Sequence, residues 1–100
     1  MHFMLLYEYV PDMATRRAPL RAQHLALVQR LHAEGTLLMA GAWSDPLDGA
    51  ALVFNAFDRT AVEQFVKQDP YVSNSLVTKW RIREWNLVVG ADPAHSPGTQ

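Results

Sequence analysis

Apolar positions recur along this chain with two different periods, and the changes of period mark out its elements. From Phe3 to Val10 large apolar side chains occupy both alternating sets: Phe3, Leu5, Tyr7 and Tyr9 on one, Met4, Leu6 and Val10 on the other. That is the pattern of a strand covered on both faces. Pro11-Asp12 ends it, and a polar loop with Arg16 and Arg17 follows. From about Pro19 to Glu34 the residues Leu20, Leu27, Val28 and Leu31 return at helical spacing. Pro19 suits an early helical position and Gly35 a C-terminal stop, with Thr15 an alternative cap. Thr36 to Trp43 and Ala50 to Phe57 read as a strand hairpin around the turn cluster Ser44-Asp45-Pro46-Leu47-Asp48-Gly49. Thr60-Ala61-Val62-Glu63 matches a capping box, which predicts a helix to about Gln68 with Val62, Phe65 and Val66 on one face. Asp69-Pro70 breaks that helix. After a segment of about one helical turn through Leu76, Thr78 to Val89 reads as a long strand.

The order β-α-β-β-α-β predicts an α+β, ferredoxin-like fold: a four-stranded antiparallel sheet with two helices on one face. Two helices leave the other face uncovered, yet the first two strands carry large apolar residues on both sides. A second copy packed sheet against sheet is the simplest cover, so a homodimer forming a dimeric α/β barrel is expected. Residues 1–90 form a single domain on this reading. The Pro-, Gly-, Ser- and Ala-rich stretch over 91–100 has no periodicity and reads as a mobile C-terminal tail.

Composition narrows the function classes. The 100 residues are 49% hydrophobic with a net charge of −1 and no cysteine, which excludes disulfides, thiolate catalysis and Cys-based metal sites. No window is long and apolar enough for a transmembrane helix, and no signal peptide is evident. A cytoplasmic protein is expected, with neither membrane nor nucleic acid as partner. His2, His32 and His95 lack metal-ligand spacing, so no metal site is expected.

The chemistry concentrates at the Asp69-Pro70 step. Proline cannot extend a helix and drives the preceding residue out of the α region, so a rigid helix exit aims the Asp69 carboxylate. Asp69 follows Phe65 by four residues and Val62 by seven, in line with the buried face of its helix. His24 follows Leu20 by four and precedes Leu27 and Val28 by three and four, on the buried face of the first helix. Both helices cover the same side of the sheet, so the two side chains are expected to meet. A carboxylate bound to an imidazole fixes its tautomer and prepares a general acid or base; it can equally be a satisfied polar pair linking two helices. Tyr7 and Tyr71 are candidate donors to a developing oxyanion, and Ser44 a candidate pocket residue. Arg81 and Arg83 offer charge for an anionic substrate or for ion pairs.

Taken together, Arg21-Ala22-Gln23-His24-Leu25, Leu38-Met39-Ala40-Gly41, Asp69-Pro70-Tyr71-Val72, Leu76-Val77 and Trp80-Arg81-Ile82-Arg83-Glu84-Trp85 resemble the YCII-related (YciI-like) family over about residues 3–89. The resemblance implies a ferredoxin-like fold, a dimer, and an active site in which His24 pairs with Asp69. Two positions depart from the family pattern. Ala42 follows Gly41 where a proline is common, and Ser75 precedes Leu76 where a glycine, free to take φ > 0, is frequent.

The leading expectation is a small-molecule enzyme that uses His24 and Asp69, without a cofactor, for acid/base elimination or isomerisation of a small organic metabolite. Tyr7, Ser44 and Tyr71 would contact the substrate. The alternative is a non-catalytic ligand-binding or accessory dimeric domain in which the pair is structural. A subunit docking a larger partner through its last strand is a third.

Overall fold

A computed structural model of the chain describes residues 1–90. The expected tail and His95 lie outside the described residues. The elements run β1 (His2–Tyr9), α1 (Met13–Arg16), a 3-10 turn (Ala18–Leu20), α2 (Arg21–Ala33), β2 (Leu37–Ala42), β3 (Gly49–Asn55), α3 (Thr60–Gln68), α4 (Pro70–Ser73) and β4 (Val77–Glu84). The four strands form one antiparallel sheet in the order β2-β3-β1-β4, so the ferredoxin-like expectation is met.

Register places the core. Leu5 lies opposite Leu52 of β3 and Ile82 of β4, and Phe3 lies opposite Phe54. Opposed residues of an antiparallel pair share a face, so these side chains line one inner surface. Val62, Phe65 and Val66 of α3 bury against it, while Leu27, Val28 and Leu31 of α2 are only partly buried. Helix α2 lies over β2, the edge strand, which leaves its outer flank in solvent.

Several local details differ from the sequence reading. The polar loop after β1 contains the short helix α1, in which Thr15 is an interior residue rather than a cap. Helix α3 is not closed by a capping box: Arg59 is its N-cap, and the Asp58 carboxylate accepts the Thr60 N–H at 2.9 Å. Glu63 instead faces Arg59 at 3.7 Å. Gly35 does stop α2, at φ +85°. Ser75 takes φ +62° despite its side chain, because the N–H groups of Ser75 and Leu76 return to the carbonyls of Val72 and Tyr71 at 3.1 and 2.9 Å, closing α4 as a glycine would.

Strand β2 contains the most consequential irregularity. Its pairing with β3 shifts between Leu37 and Met39, so Leu38 is the extra residue of a bulge. Leu37 faces the core opposite Phe54, whereas Met39 faces outward opposite Val53 and Ala40 returns inward opposite Leu52.

Strand β4 ends at Glu84, short of the expected Val89. The segment after it bonds back to β1 through Trp85 N–H and His2 C=O at 2.8 Å. Trp85, Leu87 and Val89 share a cavity of about 590 Å³ with Met39 and Val53. Part of the outer face is therefore screened by this chain's own arm, although Met39 remains 64% exposed and Trp43 51%. No helix among the described residues is long and apolar enough to cross a membrane.

Candidate functional site

Asp69 sits where two helices meet at an angle. It ends α3 and caps α4, with φ −72° and ψ 117°, the extended conformation that Pro70 imposes on its predecessor. The buried face of α3 carries the side chain into the core, where Asp69 is 0% exposed. Three donors converge on it. The Tyr7 hydroxyl donates to Oδ2 at 2.7 Å, and the Tyr71 backbone N–H donates to Oδ1 at 3.0 Å. His24 Nδ1 meets Oδ1 at 2.8 Å.

A buried carboxylate is tolerated only when its oxygens are satisfied. Hydrogen bonds to a charged acceptor contribute about 1.5–3 kcal/mol each, and here they come from β1, α2 and α4. The carboxylate is thus fixed by three separate elements. Because a carboxylate accepts, Nδ1 donates and Nε2 is left as the ring's acceptor. The imidazole is also held from one side. Its ring lies parallel to that of Tyr71, with centroids 3.8 Å apart and planes 6° apart, and the side chain is 12% exposed. One nitrogen is thus anchored, and the other belongs to a ring at the wall of an open cavity.

That cavity has a volume of about 190 Å³. Arg17, Arg21, His24 and Tyr71 line its helical wall, and Ala40, Ala42 and Ala50 line its sheet wall. The β2 bulge accounts for the smooth sheet wall, since it turns two alanines inward and Met39 outward.

Burial pushes the Tyr7 phenol far above its usual range, and the neighbouring Asp69 charge and hydrogen bond add to the rise. Tyr7 is therefore a fixed neutral donor. Burial likewise raises Tyr9, joined by Tyr71 and Asp69, while Arg17 and Arg21 oppose the rise. Tyr71 is raised by burial and pulled back by the same two arginines.

Of the five residues singled out from the sequence, His24, Asp69 and Tyr71 come together at or beside the cavity. Tyr7 joins them from beneath: it is 2% exposed, its hydroxyl is committed to Asp69, and it does not line the cavity. Ser44 is exposed in the turn after β2 and is also outside the lining. Arg81 and Arg83 stand opposite Leu6 and Met4, on the outer face. The charge at the cavity comes from Arg17 and Arg21 instead. Part of their signal was present in the sequence: Arg21, His24 and Val28 follow one another by three and four residues, a single face of α2, whereas Arg17 lies before the 3-10 turn and reaches the cavity from outside that helix. The polar-loop reading of residues 12–18 hid it. Among the described residues, no three His, Cys, Asp or Glu side chains gather in a metal-ligating cluster.

Comparison with known proteins places this geometry in context. No functionally curated protein matches the chain. The solved structure of 5-chloro-2-hydroxyhydroquinone dehydrochlorinase (TftG) from Burkholderia phenoliruptrix, in complex with 2,5-dihydroxybenzoquinone, has a TM-score of 0.74 at 22% identity. The match covers 86% of this chain and 94% of that one, and it shows the shared fold. Rv0793 from Mycobacterium tuberculosis matches at a TM-score of 0.44 and 17% identity, over 94% of this chain and 97% of that one. The family model for the YCII-related domain matches residues 1–86, and the chain accordingly belongs to the YCII-related family.

Proposed function

We propose that this chain is a small-molecule enzyme of the lyase or isomerase type, with His24 as general acid and base and Asp69 as its orienting partner. The observation that carries the reading is the 2.8 Å contact between His24 Nδ1 and a fully buried carboxylate, on an imidazole that lines a cavity. Nε2 takes a proton from a C–H or O–H of the bound molecule, and the Asp69 charge stabilises the imidazolium that results. Returning the proton to a second atom gives isomerisation; departure of a leaving group gives elimination. A positioned general base of this kind contributes about 10²–10⁴-fold in rate. The name of the structural neighbour TftG, a dehydrochlorinase, is that of an elimination of HCl and agrees with this class. No cofactor is assigned to the reaction. The working form on this reading is a cytoplasmic homodimer joined through the outer sheet faces.

Proton transfer can be read directly, without knowing the natural product. Chlorinated hydroxyhydroquinones and small keto acids, incubated with the protein in D₂O, are followed by NMR for deuterium uptake and by chloride release. The expected result is exchange or release on at least one compound, reduced about 10²-fold or more in His24→Gln. Activity that persists undiminished in a folded His24→Gln protein, or a parent inert toward the whole panel, would overturn the assignment.

A further inference from the structure

The arginines of the cavity wall have no ion-pair partner among the described residues, and the Asp69 carboxylate behind the wall is held by Tyr7, His24 and the Tyr71 N–H. Among the described residues, the ion pairs link Arg16 with Asp12, Arg59 with Glu63 and His24 with Asp69; none engages Arg17 or Arg21. Among the described residues the cavity lining contains no Asp or Glu, although the chain as a whole carries a net charge of −1. Beside these arginines, the Tyr71 hydroxyl is buried with no acceptor in place for its proton among the described residues, on a residue only 1% exposed. Arg21 is near enough to donate toward the phenol oxygen, but an arginine cannot accept, so the hydroxyl proton is left with no acceptor among the described residues. A buried hydroxyl left unsatisfied is destabilising, a penalty that an acceptor brought in by a ligand would remove.

The opposite wall asks for something else. Ala40, Ala42 and Ala50 present small apolar surface with no donor or acceptor side chain. The volume of about 190 Å³ can be set against an apolar cavity of about 150 Å³ that holds benzene. The space therefore suits a single ring with one or two substituents.

We propose that Arg17, Arg21 and Tyr71 form an anion-recognising wall, and that the molecule bound here is a compact organic anion of one-ring size. Its apolar face lies on the alanines, and its carboxylate or phenolate oxygen meets the two guanidinium groups and the Tyr71 hydroxyl. This assignment rests on the proposed proton-transfer reading only in placing the ligand within reach of His24. Arginine suits the task because its planar fork matches paired oxygens and stays charged throughout the working pH range. Fixed positive charge beside Nε2 would also stabilise the enolate or phenolate left when His24 removes a proton.

The test uses an isosteric pair, benzoate and benzamide, titrated calorimetrically into the full chain and into its Arg17→Gln, Arg21→Gln, Arg21→Lys and His24→Gln variants. Benzoate is expected to bind about tenfold or more tightly than benzamide. Each Arg→Gln change should erase most of that preference while leaving benzamide unchanged, and Arg21→Lys should retain part of it. Raising NaCl to about 0.5 M should weaken benzoate alone. Arg17 and Arg21 are at least partly exposed, and glutamine keeps the helix propensity, so the variants should fold. Equal affinity for the two probes, no benzoate binding at all, or a preference untouched by both Arg→Gln changes would overturn the inference. His24→Gln separates the two proposals: it should abolish deuterium exchange but keep the benzoate preference. Exchange without that preference leaves proton transfer standing and removes the anion site. Preference without exchange does the reverse.

Discussion

At the scale of single residues, the two oxygens of Asp69 have separate duties. Oδ1 orients His24, and Oδ2 accepts from Tyr7. Tyr7→Phe therefore removes support for the carboxylate without touching the imidazole contact. It should cost about 1.5–3 kcal/mol of stability in urea titration, since it deletes a bond to a buried charge, yet leave proton exchange within about tenfold of the parent. An equally large loss of exchange and stability would show that the two oxygens act as one unit. The same substitution should change the alkaline limb of the stability curve. The folded-state pKa of Tyr7 lies above the ordinary value of 10.0, so its contribution is complete below that value and declines above it. The unfolded chain releases the proton first, and each such group removes up to about 1.4 kcal/mol per pH unit. Tyr7→Phe should therefore show a shallower fall above pH 10 than the parent, measured by urea midpoints across that range. The Asp69–His24 meeting was legible from two helical spacings and one proline. The Tyr7 bond was not, because alternation along β1 shows that Tyr7 points inward but not where its hydroxyl ends.

At the scale of elements, the β2 bulge decides what the cavity can hold. Strict alternation from Leu37 would turn Met39 inward; the extra residue Leu38 turns Ala40 and Ala42 inward instead. No composition signal marks such a bulge, and so the reading of a strand from Thr36 to Trp43 identified the element but not which of its residues face inward beyond Leu37. Similarly, helical spacing identified α2, but loop-like residues concealed the short helix and 3-10 turn that bring Arg17 to the same cavity as Arg21. Ala40→Leu tests the role of the bulge. Ala40 is exposed at the cavity wall, so the fold should shift by no more than about 0.5 kcal/mol. The three added carbons would project into the space a ring needs, and benzoate affinity should fall about tenfold or more. Unchanged affinity in a folded Ala40→Leu protein would place the ligand elsewhere.

At the scale of the whole molecule, the sheet has one face closed by helices and one that is only partly covered. The arm after β4 reaches the outer surface near Val53, which is 7% exposed, so part of the cover that the sequence reading assigned to a second copy comes from the chain itself. What remains open is mixed: Met39 and Trp43 are exposed, Met4 and Leu6 are half-buried, and Arg81 and Arg83 flank them on β4. An exposed sheet face of this kind suits a two-fold partner, because a two-fold axis brings the same patch of each copy together and satisfies both at once. A stable pair buries about 800 Å² on each partner. Met39→Glu is the appropriate probe, since the residue contributes little to the monomer core at 64% exposure, while a symmetric interface would receive the new charge twice. Sedimentation should find the parent at twice the chain mass at micromolar concentration, and Met39→Glu should raise the dimer dissociation constant about tenfold or more with little change in circular dichroism. A parent that sediments as a monomer, or a dimer indifferent to Met39→Glu, would require a different covering for this face. The cavity lies on the opposite, helical side of the sheet, so benzoate binding should persist in the monomeric variant, and its loss there would show that the anion site needs the second copy.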